Sequence, residues 1–198
     1  PVDAVQLTHK TFGGYLLRQG GTFLGSTNKG NPFKFPTKDG KHVDKSKEII
    51  EGYHSMKLDG LVIIGGDGSM QILKKLAKDG GMKIVAIPKT IDNDLAVTDN
   101  CPGFGSVAKY VAISAKEASL DVKSMCKTST KVFVLEVMGR HAGWIAAAGE
   151  LANNAKQTFV HKILLPEVSF DEDKFLNGVK KDVGEHGYSV IVASEGLK

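Results

Sequence analysis

The sequence predicts an α/β protein: a doubly wound, mostly parallel sheet with helices on both faces. Three observations predict it. From Asp59 onward, short apolar segments alternate with amphipathic ones in a repeating strand–helix order. The short segments are continuously apolar, as strands covered on both faces must be. The segments dense in glycine and charge follow directly after strands, where open sheets of this kind bind ligands.

The elements follow in chain order. Helical spacing of apolar residues runs through "DAVQLTHKTFGGYLLRQ" and predicts a first helix. The next stretch, "GGTFLGSTNKGNPFKFPTKDGK", is too polar for a core and long enough to be a functional loop. In "DKSKEIIEGYHSMKL", Ile49, Ile50, Tyr53 and Met56 share one helical face, and Asp44 is placed to cap it. "GLVIIG" then reads as a strand, "SMQILKKLAK" as a helix and "KIVAIP" as a strand. A long helix, "GSVAKYVAISAKEASLDVKSM", leads to the strand "KVFVLEVMG" and the helix "AGWIAAAGELAN". The strand "KILLPE", the helix "DEDKFLNGVKKDVGEHG" and the strand "YSVIVASEG" close the series. This order is Rossmann-like.

No internal linker interrupts that order, so residues 1–198 are expected to form one domain. It is expected to be incomplete at both ends, because Pro1 leads straight into a helix-like stretch and the chain stops just after a strand. Twenty-six basic and 22 acidic residues leave a scattered excess of +4, without the basic run that nucleic-acid binding would call for. No apolar run has transmembrane length and no signal-peptide pattern is present, so no membrane partner is expected. Cys101 and Cys126 lie outside any CxxC pair and read as inert thiols near helix ends, which suits a reducing cytoplasm.

Three loops carry the chemistry. In "IIGGDGSMQ", Gly65 and Gly66 allow a tight turn, and Gly68 lets a backbone come close to a ligand. A helix starting at about Ser69 turns its amides and positive dipole end toward that turn, a geometry suited to phosphate. Asp67 would repel a lone phosphate, but it fits one accompanied by magnesium; otherwise it is a capping aspartate on a glycine turn. In "PKTIDNDL", Lys89 offers a point charge, Thr90 a hydroxyl, and Asp92 and Asp94 two carboxylates pointing the same way. One of these can take a proton from a substrate hydroxyl while the other helps to hold a metal; the plain alternative is an Asx turn. In "EVMGRHAGW", Arg140 can fork onto a phosphate, whereas His141 is expected to orient the turn and Trp144 to join the core. Glu195, in "ASEG", could bind sugar hydroxyls or cap a helix. Together the loops describe magnesium-assisted phosphoryl transfer to an alcohol.

"GGDGS", "PKTIDNDL", "PGFGSVAKY" and "EVMGRHAGW", with "GGTFLGS" and the closing "EG", together resemble the 6-phosphofructokinases through nearly the whole chain. A bare GGDG also occurs in NAD and diacylglycerol kinases, which have no use for "TIDND". The resemblance implies transfer of a phosphoryl group from ATP or pyrophosphate to the 1-hydroxyl of fructose 6-phosphate, with Mg2+ and as a homo-oligomer. It implies Asp92 as the base and Asp67 as the magnesium-associated carboxylate, with Lys89, Thr90 and Asp94 steadying the transferring group and the metal region. Gly66, Gly68 and Ser69 would contact the donor phosphates; Met138, Gly139, Arg140 and Glu195, together with Thr90 and Asp92, would form the sugar-phosphate site.

The departures bear on donor and assembly. Asn28 and Lys29 stand where the family commonly carries an arginine. Lys131 replaces an arginine that many ATP-using members extend into a neighbouring subunit's site, and so counts as a substrate-binding candidate in its own right. Gly68 clears the space that an aspartate would deny to a nucleotide and favours ATP, whereas Lys89 and Ile72 favour pyrophosphate. A non-catalytic subunit of the same fold is the alternative of another class, but it would be expected to lose Asp92 and Asp67.

Overall fold

The computed structural model describes residues 4–27 and 30–197, so Asn28 and Lys29 lie outside the described residues. The chain forms two compact units, one comprising residues up to Ile63 with Gly68–Val85, the other Ile64–Asp67 with the chain from Ala86 onward.

In the first unit the expected opening helix is replaced by irregular chain with one 3-10 turn, Leu16–Arg18. Its apolar residues have the spacing but nothing to pack on: Val5, Leu7, Phe12 and Leu17 are all exposed. The Gly13–Gly14 pair adds backbone entropy that an unpacked helix cannot recover. The polar loop that follows contains a small antiparallel hairpin, β1 (Phe35–Pro36) with β2 (His42–Val43). Helix α1 (Ser46–Ser55) starts where the Asp44 carboxylate accepts from the Ser46 amide at 2.8 Å. The Ser46 side chain and then its amide, with lesser help from Lys75 and Lys47, hold the Asp44 carboxyl below its ordinary range. Strand β3 (Leu61–Gly65), helix α2 (Asp67–Gly80) and strand β4 (Ile84–Pro88) follow as expected. Tyr53, Leu76 and Met82 form this unit's core, with Ile50, Leu61 and Ile72 packed against it.

β3 and β4 pair, the Leu61 amide donating to Lys83 O and, at the other end, the Lys89 amide to Gly65 O. The second unit is built on α3 (Phe104–Met125), β5 (Val132–Val137), α4 (Trp144–Ala147), a 3-10 turn (Ala148–Ala152), β6 (Lys162–Leu164), α5 (Glu172–His186) and β7 (Ser189–Ser194). Its sheet is parallel in the order β5–β7–β6, with Val132 opposite Ser189 and Val137 opposite Ser194. β7 is the central strand and is buried throughout. Ala108, Val111, Ala115, Ser119 and Val122 are buried at helical spacing along one face of α3, and Val111, Ala115 and Val122 join Ile145, Val190 and Val192 in the core. Cys101 and Cys126 are buried free thiols flanking α3. The architecture is doubly wound α/β. Among the described residues no helix is long and apolar enough to cross a membrane.

Candidate functional site

Parallel strands deliver the residues that follow them to one rim. β4 delivers Lys89 and Thr90, β5 delivers Met138–Arg140, and β7 delivers Glu195. β3 delivers Gly66 and Asp67 beside β4: a Cβ on Gly66 would stand 3.6 Å from the Thr90 Cβ and 3.7 Å from Lys89 O. Asp67 opens α2 as its first residue, where a carboxylate is favoured by the helix dipole. Gly68 and Ser69 follow it in the first turn, at the start of the chain segment that belongs to the other unit.

The loop after β4 is folded by its own side chains. Thr90 Oγ1 accepts from the Asp92 amide at 3.2 Å. Asn93 adopts the left-handed conformation (φ 55°), and its buried amide reaches across the loop. Its Nδ2 donates to Asp99 O at 3.2 Å, and its Oδ1 accepts from the Cys101 amide at 2.8 Å. Asn93 thereby ties the aspartate loop to the entry of α3, leaving Asp92 half-buried and Asp94 exposed on either side.

Asp92 is the electrostatic centre of the rim. Burial holds its carboxyl above the usual range, and the charges of Asp94 and Glu195 push it the same way. Its contact with Thr90 and the Arg140 guanidinium pull it back. All four groups act on one carboxylate, so the loops after β4, β5 and β7 converge. Asp92 Oδ1 is buried and makes no hydrogen bond among the described residues. An acceptor withdrawn from water and left without a donor is costly in a resting protein and useful in one awaiting a hydroxyl.

The family pattern described as Phosphofructokinase matches residues 2–198. The chain belongs to the phosphofructokinase family. Over 138 residues, 68% of the chain, it is 55% identical to the pyrophosphate--fructose 6-phosphate 1-phosphotransferase of Methylococcus capsulatus, covering 33% of that protein. Over 184 residues, 92% of the chain, it is 43% identical to the ATP-dependent 6-phosphofructokinase 1 of Nostoc sp., covering 49% of it. The crystal structure of the pyrophosphate-dependent phosphofructokinase from Nitrosospira multiformis matches with a TM-score of 0.72 at 49% identity, over 78% of this chain and 40% of that one. The chain thus spans 33% and 49% of the lengths of these two curated relatives.

Not every candidate in this phosphofructokinase chain reaches the rim. Lys131 immediately precedes β5, and its carbonyl accepts from Ser189 at the start of β7, so it stands at the opposite end of the strand from Arg140. The residue number alone carries that message, because a residue before a parallel strand and one after it lie on opposite rims. Trp144 does not join the core: it is 55% exposed and packs edge-on with Phe104, ring centroids 6.5 Å apart. His141 is exposed as well. Ile72, which sequence reasoning set against a nucleotide, turns into the core of the first unit. Sequence reasoning overlooked Asn93, whose neighbours drew the attention, and Glu167, whose Oε1 accepts from the Gly143 amide at 2.7 Å beyond the Arg140 turn. Only the asparagine carried a signal, as the residue type most tolerant of a left-handed backbone after glycine.

Proposed function

We propose that the full-length protein transfers a phosphoryl group to the 1-hydroxyl of fructose 6-phosphate, giving fructose 1,6-bisphosphate. The observation that carries this reading is the buried, unpartnered Oδ1 of Asp92. It lies among groups suited to an anionic sugar: Arg140 for the phosphate, Glu195 for ring hydroxyls, Met138 and Gly139 for the walls, and Thr90 beside the base. Asp92 accepts the hydroxyl proton as the oxygen attacks, and its raised affinity for protons suits it to that task. Lys89 offsets charge on the moving phosphoryl group.

The loops at these strand ends are acidic: they carry Asp67, Asp92, Asp94 and Glu195 against two cations, Lys89 and Arg140. Two phosphorylated reactants would be repelled unless a cation came with them. Magnesium takes one or two carboxylates and fills its other positions with phosphate oxygens and water, a set that Asp67 and Asp94 match. When bound, the ion neutralises donor-phosphate charge.

ATP is the first donor reading. A Cβ on Gly68 would have nothing within 4 Å, and its φ is not positive, so neither packing nor backbone strain calls for glycine inside this helix. The open space beside Gly68, in the first turn of α2, supports clearance for a ligand. The inward packing of Ile72 removes an objection to a nucleotide. Pyrophosphate is the second reading, favoured by Lys89 and by the 55% identity to a pyrophosphate-dependent relative. A coupled assay for fructose 1,6-bisphosphate with each magnesium-loaded donor separates them. Product with neither donor would defeat the proposal.

A further inference from the structure

The parallel ladder between β5 and β7 ends where the Glu195 amide donates to Val137 O at 2.9 Å. Beyond that rung the strands part into the two turns that carry Arg140 and Glu195. One buried side chain spans the gap. Ser194, 2% exposed, donates from Oγ to Gly139 O at 2.5 Å, and the same oxygen accepts from the Gly196 amide at 3.4 Å. Its hydroxyl therefore supplies a rung that the backbone no longer can.

The glycines on either side show how closely the turns are held. Between the turns, a Cβ on Gly196 would overlap the Arg140 carbonyl; one on Gly139 (φ 125°) would overlap the carbonyl of Ala142 within its own turn and stand 3.4 Å from Ser194 Oγ. Backbone thus lies on backbone, with no side chain to act as a spacer. A contact of that kind has little lateral grip, so its register depends on the directional bonds made by Ser194. Each of the two glycine turns is flexible by itself.

We infer that Ser194 is a positioning residue: its hydroxyl braces the Arg140 turn against the Glu195 turn and so sets the spacing of the two side chains assigned to the sugar phosphate. The consequence for catalysis rests on the function proposed above; the brace itself does not. Ser194→Ala removes only the oxygen, in a place where a smaller side chain fits.

The test uses the full-length enzyme and two readouts. Hydrogen–deuterium exchange of the peptide spanning residues 138–143 should quicken about tenfold in Ser194→Ala, while peptides from α3 and α5 keep their rates. In steady-state assays KM for fructose 6-phosphate should rise about tenfold with kcat within about threefold, the signature of lost ground-state binding. Because the brace acts through Arg140, that KM rise should vanish when Ser194→Ala is added to Arg140→Ala. Unchanged exchange at 138–143 overturns the brace, whatever the enzyme's activity. A KM rise that persists in full in the Arg140→Ala background overturns its action through Arg140. Failure of the wild-type enzyme to use fructose 6-phosphate is a different result: it ends the functional reading, and the exchange arm still decides the brace.

Discussion

The two ends of β7 carry polar clusters of opposite character. At its start, Ser189 Oγ donates to Asp182 Oδ2 at 2.9 Å, and the same oxygen pairs with Lys162 Nζ at 2.8 Å. Gly178 on α5 leaves room for the lysine, since a Cβ there would stand 2.9 Å from its Cε and Nζ. His161 Nδ1 completes the group by accepting from the Val190 amide at 3.1 Å. Each of these atoms is answered by a partner. At the other end, three carboxylates act on one another with Arg140 beside them, and Asp92 Oδ1 has no partner among the described residues. The first cluster is a closed network that holds strands together; the second is open and incomplete until something binds. Polarity alone does not separate scaffold from site in this molecule, but satisfaction does. Ser119 Oγ, the other buried orphan among the described residues, is a neutral hydroxyl inside α3, far cheaper to strand than a carboxylate.

The contrast is broken most directly at Asp92. Asp92→Asn should lower kcat by about a thousandfold while KM for the sugar phosphate stays within about threefold. The same change should leave the melting temperature unchanged or raise it, because it removes a charge held away from water. Steady-state kinetics and thermal unfolding on one preparation check both. A variant that melts lower and keeps its rate would place Asp92 with the closed network. The base should also shape the pH profile. With its carboxyl held above the usual range, the acid limb of kcat/KM should lie above that range too. Asp94→Asn should move that limb to lower pH, since the Asp94 charge is one of the forces raising it.

Arg140→Ala comes next. Removing a charged hydrogen-bond donor to a phosphate costs about 1.5–3 kcal/mol, or roughly a 10- to 100-fold rise in KM for fructose 6-phosphate. Stability should hold, since the residue is exposed and makes no ion pair among the described residues. An unchanged KM would exclude Arg140 from the sugar-phosphate site.

Much of this contrast was legible in the sequence. The strand–helix order alone groups Asp67, Lys89, Thr90, Asp92, Arg140 and Glu195 in loops that follow parallel strands. What stayed hidden were interactions whose partners are remote in the chain. Ser194 meets Gly139 at a separation of 55 residues, and neither residue type announces a brace. The opening segment misled for a different reason. Its apolar spacing is helical, but spacing stabilises a helix only when a core receives the apolar face, and Leu17 is fully exposed. Lys131 lies at the other end of β5 from Arg140, which the direction of the strand shows and the residue type does not.

The closed network sharpens the contrast from the other side. Asp182→Ala strands the Lys162 ammonium and removes the acceptor of Ser189, so it should destabilise by about 2 kcal/mol, less than a fully buried pair would lose. At a temperature where the variant stays folded, kcat/KM should be within about twofold of wild type, since a folded site one strand-length away keeps its geometry. Denaturant unfolding and kinetics together decide it; lost activity in a folded variant would join two ends that the structure keeps apart.

The smallest effect is expected at His161, where the two ends differ in what a proton does. The His161 amide donates to Val190 O at 2.8 Å while its ring accepts from the Val190 amide, so the side chain stands in for a backbone carbonyl beside β7. Val190 is fully buried, and only an unprotonated Nδ1 can satisfy its N–H. Burial, and then the charges of His186 and Lys162, hold the imidazole below its ordinary value of 6.5, with Asp182 opposing and the edge of Tyr188 packed 5.0 Å away. The unfolded chain therefore takes up this proton first. The contribution is intact above about pH 6.5 and falls as the pH drops toward the lower folded value. His161→Asn keeps an acceptor that does not titrate, and should flatten this part of the stability–pH curve. His161→Leu should lose the contribution at every pH. A wild-type curve that coincides with that of His161→Asn from pH 7 to 5 would mean that Val190 does not depend on the ring. Acid would thus loosen the closed network by cancelling an acceptor, whereas at Asp92 it fills an empty one, so the same drop in pH that weakens the scaffold relieves the strain of the site and stops its chemistry.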